Sequence, residues 1–316
     1  MKRAAALLIA LILALGCAAF GEGMTAEELN EAGKEAMKAK DYAKALEYFQ
    51  AGADQGDVKA LMNLAGLYLD GNGVEQDFGK AAEIYKIVEE KSPEDAWYSY
   101  GSQYYYGKGV ERDLEKVIDY WQRAAEKGHV RAIYGLGYLY GAGEGVGKDF
   151  VKAREYYQQA ADLGYEDAMT VLGNMSLYGE GGEQDYEKAF EYYQMAAEKG
   201  SSMGQYDVGM MYYYGIGVEQ DYAKAIEYYQ MAAEQNNPYA WYGLAHLYRT
   251  GEGVEQDYVK AREYYQKAAD EGMAAAYADL GELYRDGLGV EKDEEKAEEY
   301  LQKALELGYV PETEAQ

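Results

Sequence analysis

The chain has 316 residues, of which 48% are hydrophobic, so it is long enough and apolar enough to build a core. It carries 57 acidic and 30 basic residues, for a formal net charge of -27. A field of that sign repels nucleic acid and anionic membrane surfaces, so we expect no nucleic-acid partner and no direct binding to such membranes.

Residues 1–21 have the composition of an export leader. A basic start, "MKR", precedes the apolar run "AAALLIALILALG", which is too short to span a membrane comfortably. Small residues follow, and Ala19-Phe20-Gly21 is an acceptable cleavage site, which favours a secretory signal peptide. The alternative is a lipoprotein signal in which Cys17 carries the lipid, although Ala14 stands where such signals usually have leucine. Both alternatives predict an exported protein, in the periplasm, at the cell surface or secreted, whose membrane attachment is limited to a lipid anchor at Cys17.

A 36-residue period dominates the rest of the sequence. Seventeen residues after the start of each copy lies an aspartate, and three residues later a lysine, as in Asp257 and Lys260. A divergent unit over residues 25–59 precedes the clear copies and lacks their pair of glycines, and a short polar tail covers residues 310–316. Seven clear copies occupy residues 60–309 and begin at Ala60, Ala96, Ala132, Ala168, Gly204, Ala240 and Ala276.

Each copy divides into two predicted helices. In the copy at Ala240, "AWYGLAHLY" places apolar residues three and four apart, which predicts a first helix. Gly251 and Gly253 then favour a tight turn, because glycine reaches positive φ at no steric cost. Asp257 is placed to cap the second helix, and Gly272 to end it. The phrase "GVEQDY", at 217–222 and again at 253–258, is therefore interpreted as a connector and not as a ligand loop.

Glycines also recur inside the first helices, where each costs about 1 kcal/mol relative to alanine. We expect them to permit close approach of the second helix, and we expect alanine pairs such as Ala196-Ala197 to supply the facing small surface. These glycines are Gly101, Gly137, Gly173, Gly209 and Gly281.

The combined pattern, Leu-Gly-x-x-Tyr, Gly-x-Gly-Val, Asp-x-x-Lys-Ala and Tyr-x-x-Ala-Ala-x-x-Gly, resembles the Sel-one-like repeat, a relative of the tetratricopeptide repeat. A close instance is "LGYLYGAGEGVGKDFVKAREYYQQAADLG" at 136–164. The resemblance implies an all-α fold, a right-handed α-solenoid of helix-turn-helix repeats, with a tetratricopeptide-like unit at 25–59. It also implies adaptor or scaffold roles and not one activity. Ser176, Gly182 and Asn236 depart from the pattern.

Residues that differ between copies are the candidates for function, because those common to all copies are explained by folding. By analogy with tetratricopeptide solenoids, the first helices line a concave groove through positions two, six and nine, counted from the residue that starts each copy. A groove rich in tyrosine and arginine suits a peptide or protein partner, and the alternatives are stacking on cell-wall glycan or simple packing between helices. The candidate residues are Tyr98, Tyr105, Tyr134, Tyr138, Tyr206, Met210, Tyr213, Tyr242, His246, Arg249 and Arg285.

Nothing in the sequence favours catalysis. The two histidines are far apart, and His129 falls in a turn between copies, where we expect it to be exposed. The stretch "GEGVGKD" at 143–149 lacks the spacing of a phosphate loop and coincides with the turn of the repeat. We therefore expect a non-enzymatic protein with no cofactor and no metal, and a monomer.

Overall fold

The computed structural model describes residues 23–310. The predicted leader, Cys17 and residues 311–316 lie outside the described residues. Over 23–310 the chain forms sixteen α-helices and no strand. The chain divides into two compact units, Met1–Lys148 and Asp149–Gln316.

Most helices have 13 residues, and all are connected by short turns. The first unit contains α1 (Ala26–Lys38), α2 (Tyr42–Asp54), α3 (Val58–Asp70), α4 (Phe78–Lys91), α5 (Pro93–Tyr106), α6 (Leu114–Glu126) and α7 (Val130–Ala142). The second unit contains α8 (Phe150–Asp162), α9 (Glu166–Tyr178), α10 (Tyr186–Glu198), α11 (Ser202–Tyr214), α12 (Tyr222–Glu234), α13 (Pro238–Thr250), α14 (Tyr258–Asp270), α15 (Ala274–Asp286) and α16 (Glu294–Glu306).

Within each unit every helix packs against the next one along the chain, and α9 also touches α11, its counterpart in the neighbouring copy. Stacked helix pairs of this kind are an α-solenoid, so the predicted fold class is confirmed. The odd-numbered helices from α3 to α15 are the first helices of the copies, and the even-numbered ones are the second helices.

The turn phrase has the structural role predicted for its aspartate. The Asp221 carboxylate accepts a hydrogen bond from the Lys224 backbone N–H at 3.0 Å, which caps α12. The preceding Gln220 has a role that the sequence analysis missed: its amide donates to the Tyr213 carbonyl at 2.8 Å and so satisfies the end of α11. The same aspartate cap occurs at Asp41, Asp77, Asp113, Asp149, Asp185, Asp257 and Asp293.

The glycines inside the first helices do allow close packing, but the prediction about what faces them is wrong. A Cβ at Gly209 would lie 2.6 Å from the buried ring of Tyr229 on the second helix of the same copy, closer than real Cβ contacts allow. Trp121 lies in the same way against Gly101. The alanine pair lies elsewhere, with Ala196 against Gly204, because the large ring already occupies the space beside the mid-helix glycine.

No helix among residues 23–310 combines the length and the apolar character that a membrane crossing requires.

Replacing glycine by alanine should have opposite effects on stability at two sites, one that contacts a ring and one that does not. Gly209→Ala should lower the free energy of unfolding by about 1–3 kcal/mol, because the added methyl group displaces Tyr229 from a packed core. Gly66 lies inside α3 with nothing within 4 Å of its Cβ position. Gly66→Ala should therefore raise that free energy by about 0.5–1 kcal/mol, through helix propensity alone. Urea denaturation followed by circular dichroism measures both changes, and a Gly209→Ala variant as stable as the native chain would contradict the packing account.

Candidate functional site

The predicted groove residues all lie on first helices, in α5 and α7 of the first unit and in α11, α13 and α15 of the second. Tyr138 and Arg285 are exposed, whereas the other nine are half-buried. The half-buried side chains therefore lie partly at the surface and partly packed against neighbouring helices.

In the first unit, Tyr98 belongs to an aromatic stack. Its ring lies 4.5 Å from the ring of His129 and 5.9 Å from that of Trp121. His129 is only 12% exposed, so the prediction that it is exposed is wrong. The ring is held because Nδ1 accepts the Ala132 backbone N–H at 3.2 Å and Nε2 lies 3.3 Å from Asp95. The contact with His129 lowers the pKa of the Asp95 carboxyl.

Tyr138 and Tyr105, also in the first unit, have their polar ends satisfied internally. The Tyr138 hydroxyl donates to Glu144 at 3.3 Å, and Arg112 pairs with the same carboxylate at 2.7 Å. The Arg112 guanidinium also lies 5.4 Å from the centre of the Tyr105 ring. Burial, with a hydrogen bond to Tyr138, raises the pKa of Tyr105 to about 12, so this hydroxyl stays protonated.

In the second unit, the Tyr213 hydroxyl contacts both a carboxylate and His246. The Tyr213 hydroxyl donates to Glu252 at 2.9 Å and lies 3.3 Å from Nδ1 of His246. Tyr222 donates to the other oxygen of Glu252 at 3.4 Å. The hydrogen bond from Tyr213 is the main reason that the pKa of Glu252 is lowered, so the group is a carboxylate at neutral pH.

The two predicted arginines have acidic neighbours. Arg249 pairs with Asp279 and, at 2.8 Å, with Glu282, both on the next first helix. The Tyr242 hydroxyl is hydrogen-bonded to Asp279 as well. Arg285 lies 3.2 Å from Asp286. These local ion pairs account for the arginines in an acidic chain, and ligand contact by either of them stays a prediction.

Tyr206 and Met210, on α11, complete the predicted set in the second unit. The Tyr206 ring lies 5.6 Å from those of Tyr229 and Tyr239, and Met210 packs against the core formed with α12. Burial raises the pKa of Tyr206 to about 12. Each of these two side chains is thus partly exposed to solvent and partly packed against neighbouring residues.

Three tyrosines at position ten were missed by the sequence analysis and are much more accessible than the predicted ones. Tyr106, Tyr178 and Tyr214 are 68%, 70% and 63% exposed. Tyr214 lies edge-on to the predicted Tyr213, with ring centres 4.7 Å apart. The missed signal is variation between copies, because the other copies have Asp70, Ala142, Thr250 and Asp286 at this position.

A buried carboxylate at position three was also missed. Asp207, on α11, is 8% exposed, and no residue among 23–310 donates a hydrogen bond to it or pairs with it as a cation. Burial raises its pKa to about 7. The carboxylate interacts electrostatically with the hydroxyls of Tyr193, Tyr206 and Tyr229. An aspartate stands out here, because the neighbouring copies have Val171 and Gly243 at this position.

Across residues 23–310, no three His, Cys, Asp or Glu side chains lie close enough together to hold a metal ion. The arrangement of accessible tyrosines, internal ion pairs and one unpaired buried carboxylate suits binding.

A family model described as "Sel1 repeat" matches nearly the whole described chain, including the divergent repeat at its N-terminal end. The matches cover residues 24–57, 58–87, 95–129, 130–165, 166–201, 202–237, 238–273 and 274–309. No curated protein matches the chain significantly.

Two crystal structures of bacterial proteins are similar over most of the chain. One is a protective antigen of uropathogenic Escherichia coli strains displaying an SLR fold, with 32% identity and a TM-score of 0.67 over 91% of this chain and 63% of that one. The other is a Sel1 repeat protein from Oxalobacter formigenes, with 30% identity and a TM-score of 0.66 over 90% of this chain and 84% of that one. The chain thus spans less than two thirds of the antigen's length.

The burial of Asp207 predicts a pH-dependent cost. Its pKa is about 7 in the folded chain and 3.8 as the ordinary value, so the folded state holds the proton more tightly. This aspartate therefore destabilises the fold progressively as pH rises from about 4 to about 7, and Asp207→Asn removes the charge. We expect Asp207→Asn to change the free energy of unfolding little near pH 4 and to raise it by about 2–4 kcal/mol at pH 8.

The matched control is Asp279→Asn. Burial raises the pKa of this carboxyl too, but Tyr242 and Arg249 offset part of the cost, so the gain in stability at pH 8 should be smaller than for Asp207→Asn. Urea denaturation at the two pH values measures both variants. Equal stability of the native chain and Asp207→Asn at pH 8 would show that Asp207 has a partner.

Proposed function

Because this chain belongs to the Sel1 repeat family, whose members are generally protein-interaction scaffolds, we propose that it is a non-catalytic scaffold that binds a protein or peptide. The proposed contact surface, here called the recognition face, consists of positions two, three, six, nine and ten of the first helices within each unit. These positions share one side of a helix, because they fall within about a third of a turn of one another when successive residues advance by about 100°.

The observation that carries the proposal is the exposure of Tyr178 and Tyr214, on neighbouring first helices of the second unit. Each is more than 60% exposed, although a tyrosine ring is large and mostly apolar. Tyrosine gives a binding surface large contact area, few rotamers to immobilise and a polar tip. The half-buried Tyr213 lies edge-on to Tyr214, with ring centres 4.7 Å apart, and this contact orients the exposed ring.

The proposed place of action is outside the cytoplasm. The expected leader over residues 1–21 supports export, either as a cleaved soluble protein or with a lipid anchor at Cys17. The similarity to a protein described as a protective antigen is consistent with that location. We also propose that the exported chain acts as a monomer, since its strong negative charge opposes self-association.

A second candidate function is binding of cell-wall glycan or peptidoglycan fragments. The favouring observation is again the exposed rings, since aromatic faces also stack on sugars. A protein partner is preferred because several rings of the recognition face, such as Tyr98 and Tyr206, already use a face to stack on a neighbouring side chain. Retention of the purified chain on isolated cell wall distinguishes the two candidates.

The recognition face is tested by crosslinking capture from the native envelope with Tyr178→Ala/Tyr214→Ala. We expect the variant to lose the captured protein by at least about tenfold, because aromatic anchors at the centre of an interface are worth about 2 kcal/mol or more. The control is Tyr186→Ala, which removes a 45% exposed tyrosine from the start of a second helix and should leave capture unchanged. Undiminished capture by a folded double variant would refute the proposed face, and retention on cell wall instead would favour the glycan function.

A further inference from the structure

Two aspartates occupy the same place in copies two repeats apart. Asp207 is the third residue after Gly204, and Asp279 is the third residue after Ala276. Both lie beside the ring of a second-helix tyrosine from the preceding copy, Tyr193 for Asp207 and Tyr265 for Asp279, with which each interacts electrostatically. The backbone thus presents two equivalent carboxylates, and the preceding copy supplies their neighbours.

The neighbours of Asp279 offset part of the cost of burying it, although burial still raises the pKa of this carboxyl. Arg249, at position nine of the preceding copy, pairs with the carboxylate, and the Tyr242 hydroxyl at position two is hydrogen-bonded to it. Glu282, at position six of the same copy as Asp279, shares the guanidinium at 2.8 Å. One arginine is therefore held by two carboxylates, one of which also accepts a hydrogen bond from a tyrosine.

The corresponding neighbours of Asp207 cannot do this. Position nine of the preceding copy is Leu177, which has no donor, and it packs into the core of the second unit. Position two is Thr170, whose hydroxyl donates to the Glu166 carbonyl of its own helix at 3.3 Å. Met210 stands where the other copy has Glu282. Asp207 is left as a buried carboxylate without the cation that its counterpart has.

The exposed aromatic side chains of the recognition face nearest to Asp207 in the sequence of first helices are Tyr214, on the same helix, and Tyr178, on the preceding first helix. Asp207, Met210 and Tyr214 are three and four residues apart on α11, which places them on one face of the helix. On the preceding first helix, Tyr178 interacts electrostatically with the hydroxyl of Tyr193, as Asp207 does. Aromatic faces attract cations, so a carboxylate on the same face as accessible tyrosines is a chemical environment for a positively charged group.

We propose that Asp207 is the anchor for an arginine side chain of the bound protein or peptide, which supplies from the partner the ion pair that Arg249 makes with Asp279 within the chain. The inference rests on the proposed function and specifies the chemistry of its partner: an arginine that enters between Tyr178 and Tyr214. The net charge of -27 favours a basic partner of this kind.

The same geometry makes binding depend on pH. The carboxylate must be ionised to hold the cation, whereas burial raises the pKa of Asp207 to about 7 in the free chain. The titratable groups that face it are Tyr193 on α10, Tyr229 on α12, and Tyr206 on α11 itself, and none of these phenols is charged near neutrality. Binding of an arginine should therefore strengthen as pH rises through 7 and should lower the pKa of Asp207.

The test is the titration of Asp207 by NMR in the full chain labelled at the aspartate carboxyl carbons, with Asp207→Asn to assign the signal. The probe is acetyl-arginine amide, and acetyl-citrulline amide is its neutral control of nearly the same shape. We expect the arginine probe to lower the pKa of Asp207 by at least about one unit, as an opposite charge at short range does, and the citrulline probe to leave it unchanged. An unchanged pKa with the arginine probe, or an equal response to both probes, would overturn the proposal.

A variant of the preceding copy supplies the matched control. Leu177→Arg introduces at position nine the residue that Arg249 provides in the other copy, so the pKa of Asp207 should fall without any probe and the response to acetyl-arginine amide should disappear. A Leu177→Arg chain that still responds to the probe would contradict the site. Circular dichroism of each variant verifies that it is folded.

Capture of the native partner separates this inference from the proposed function. We expect Asp207→Asn and Leu177→Arg each to reduce capture by at least about tenfold. The first removes the carboxylate and the second occupies it, so in both variants the arginine of the partner is left without a matching charge. If Tyr178→Ala/Tyr214→Ala loses the partner while Asp207→Asn retains it, the recognition face stands and the arginine anchor fails. If the tyrosine variant retains the partner, the proposed function itself fails, whatever the probe does.

Discussion

The contact on which several of the helix pairs depend is that between a glycine of the first helix and an aromatic ring of the second. Tyr229 lies against Gly209 and Trp121 against Gly101, each at a distance that leaves no room for a Cβ. Because interiors are close-packed, one such contact fixes the separation of the two helices. The backbone of each copy is thereby set by residues common to most copies, and the differences between copies are confined to side chains that lie away from this contact.

Because the separation of the helices is fixed, a single aspartate at position three of a copy becomes a buried charge. The same ring that fills the space beside Gly209 also reaches position three of the next copy, since Tyr229 lies against Gly243 as well. An aspartate at that position lies among packed side chains, where burial raises its pKa. At Asp279 a neighbouring arginine and tyrosine offset part of the cost of burial, and at Asp207 no residue does. The mismatch between adjacent copies thus leaves the Asp207 carboxylate without a cation.

The sequence was sufficient for the features that depend on local contacts. The α-solenoid class, the aspartate caps and the tight packing of Gly209 follow from spacing within one copy, and the structure confirms them. The placement of His129 and the isolation of Asp207 depend on side chains about 30 residues away, such as Asp95 and Leu177, that only the stacking of copies brings close. A comparison of position three with positions two and nine of the preceding copy would have found Asp207, because repeats at a fixed period imply that pairing.

The proposed partner binds across the first helices at the level of Asp207. Site-specific photo-crosslinking locates it, with p-benzoylphenylalanine in place of Tyr214 on α11 or, as a control, in place of Met231 on α12, which is 40% exposed. We expect irradiation of the native envelope to yield one crosslinked protein from position 214 and none from position 231. Crosslinking from position 231 with none from position 214 would place the partner on the second helices and refute binding at the first helices.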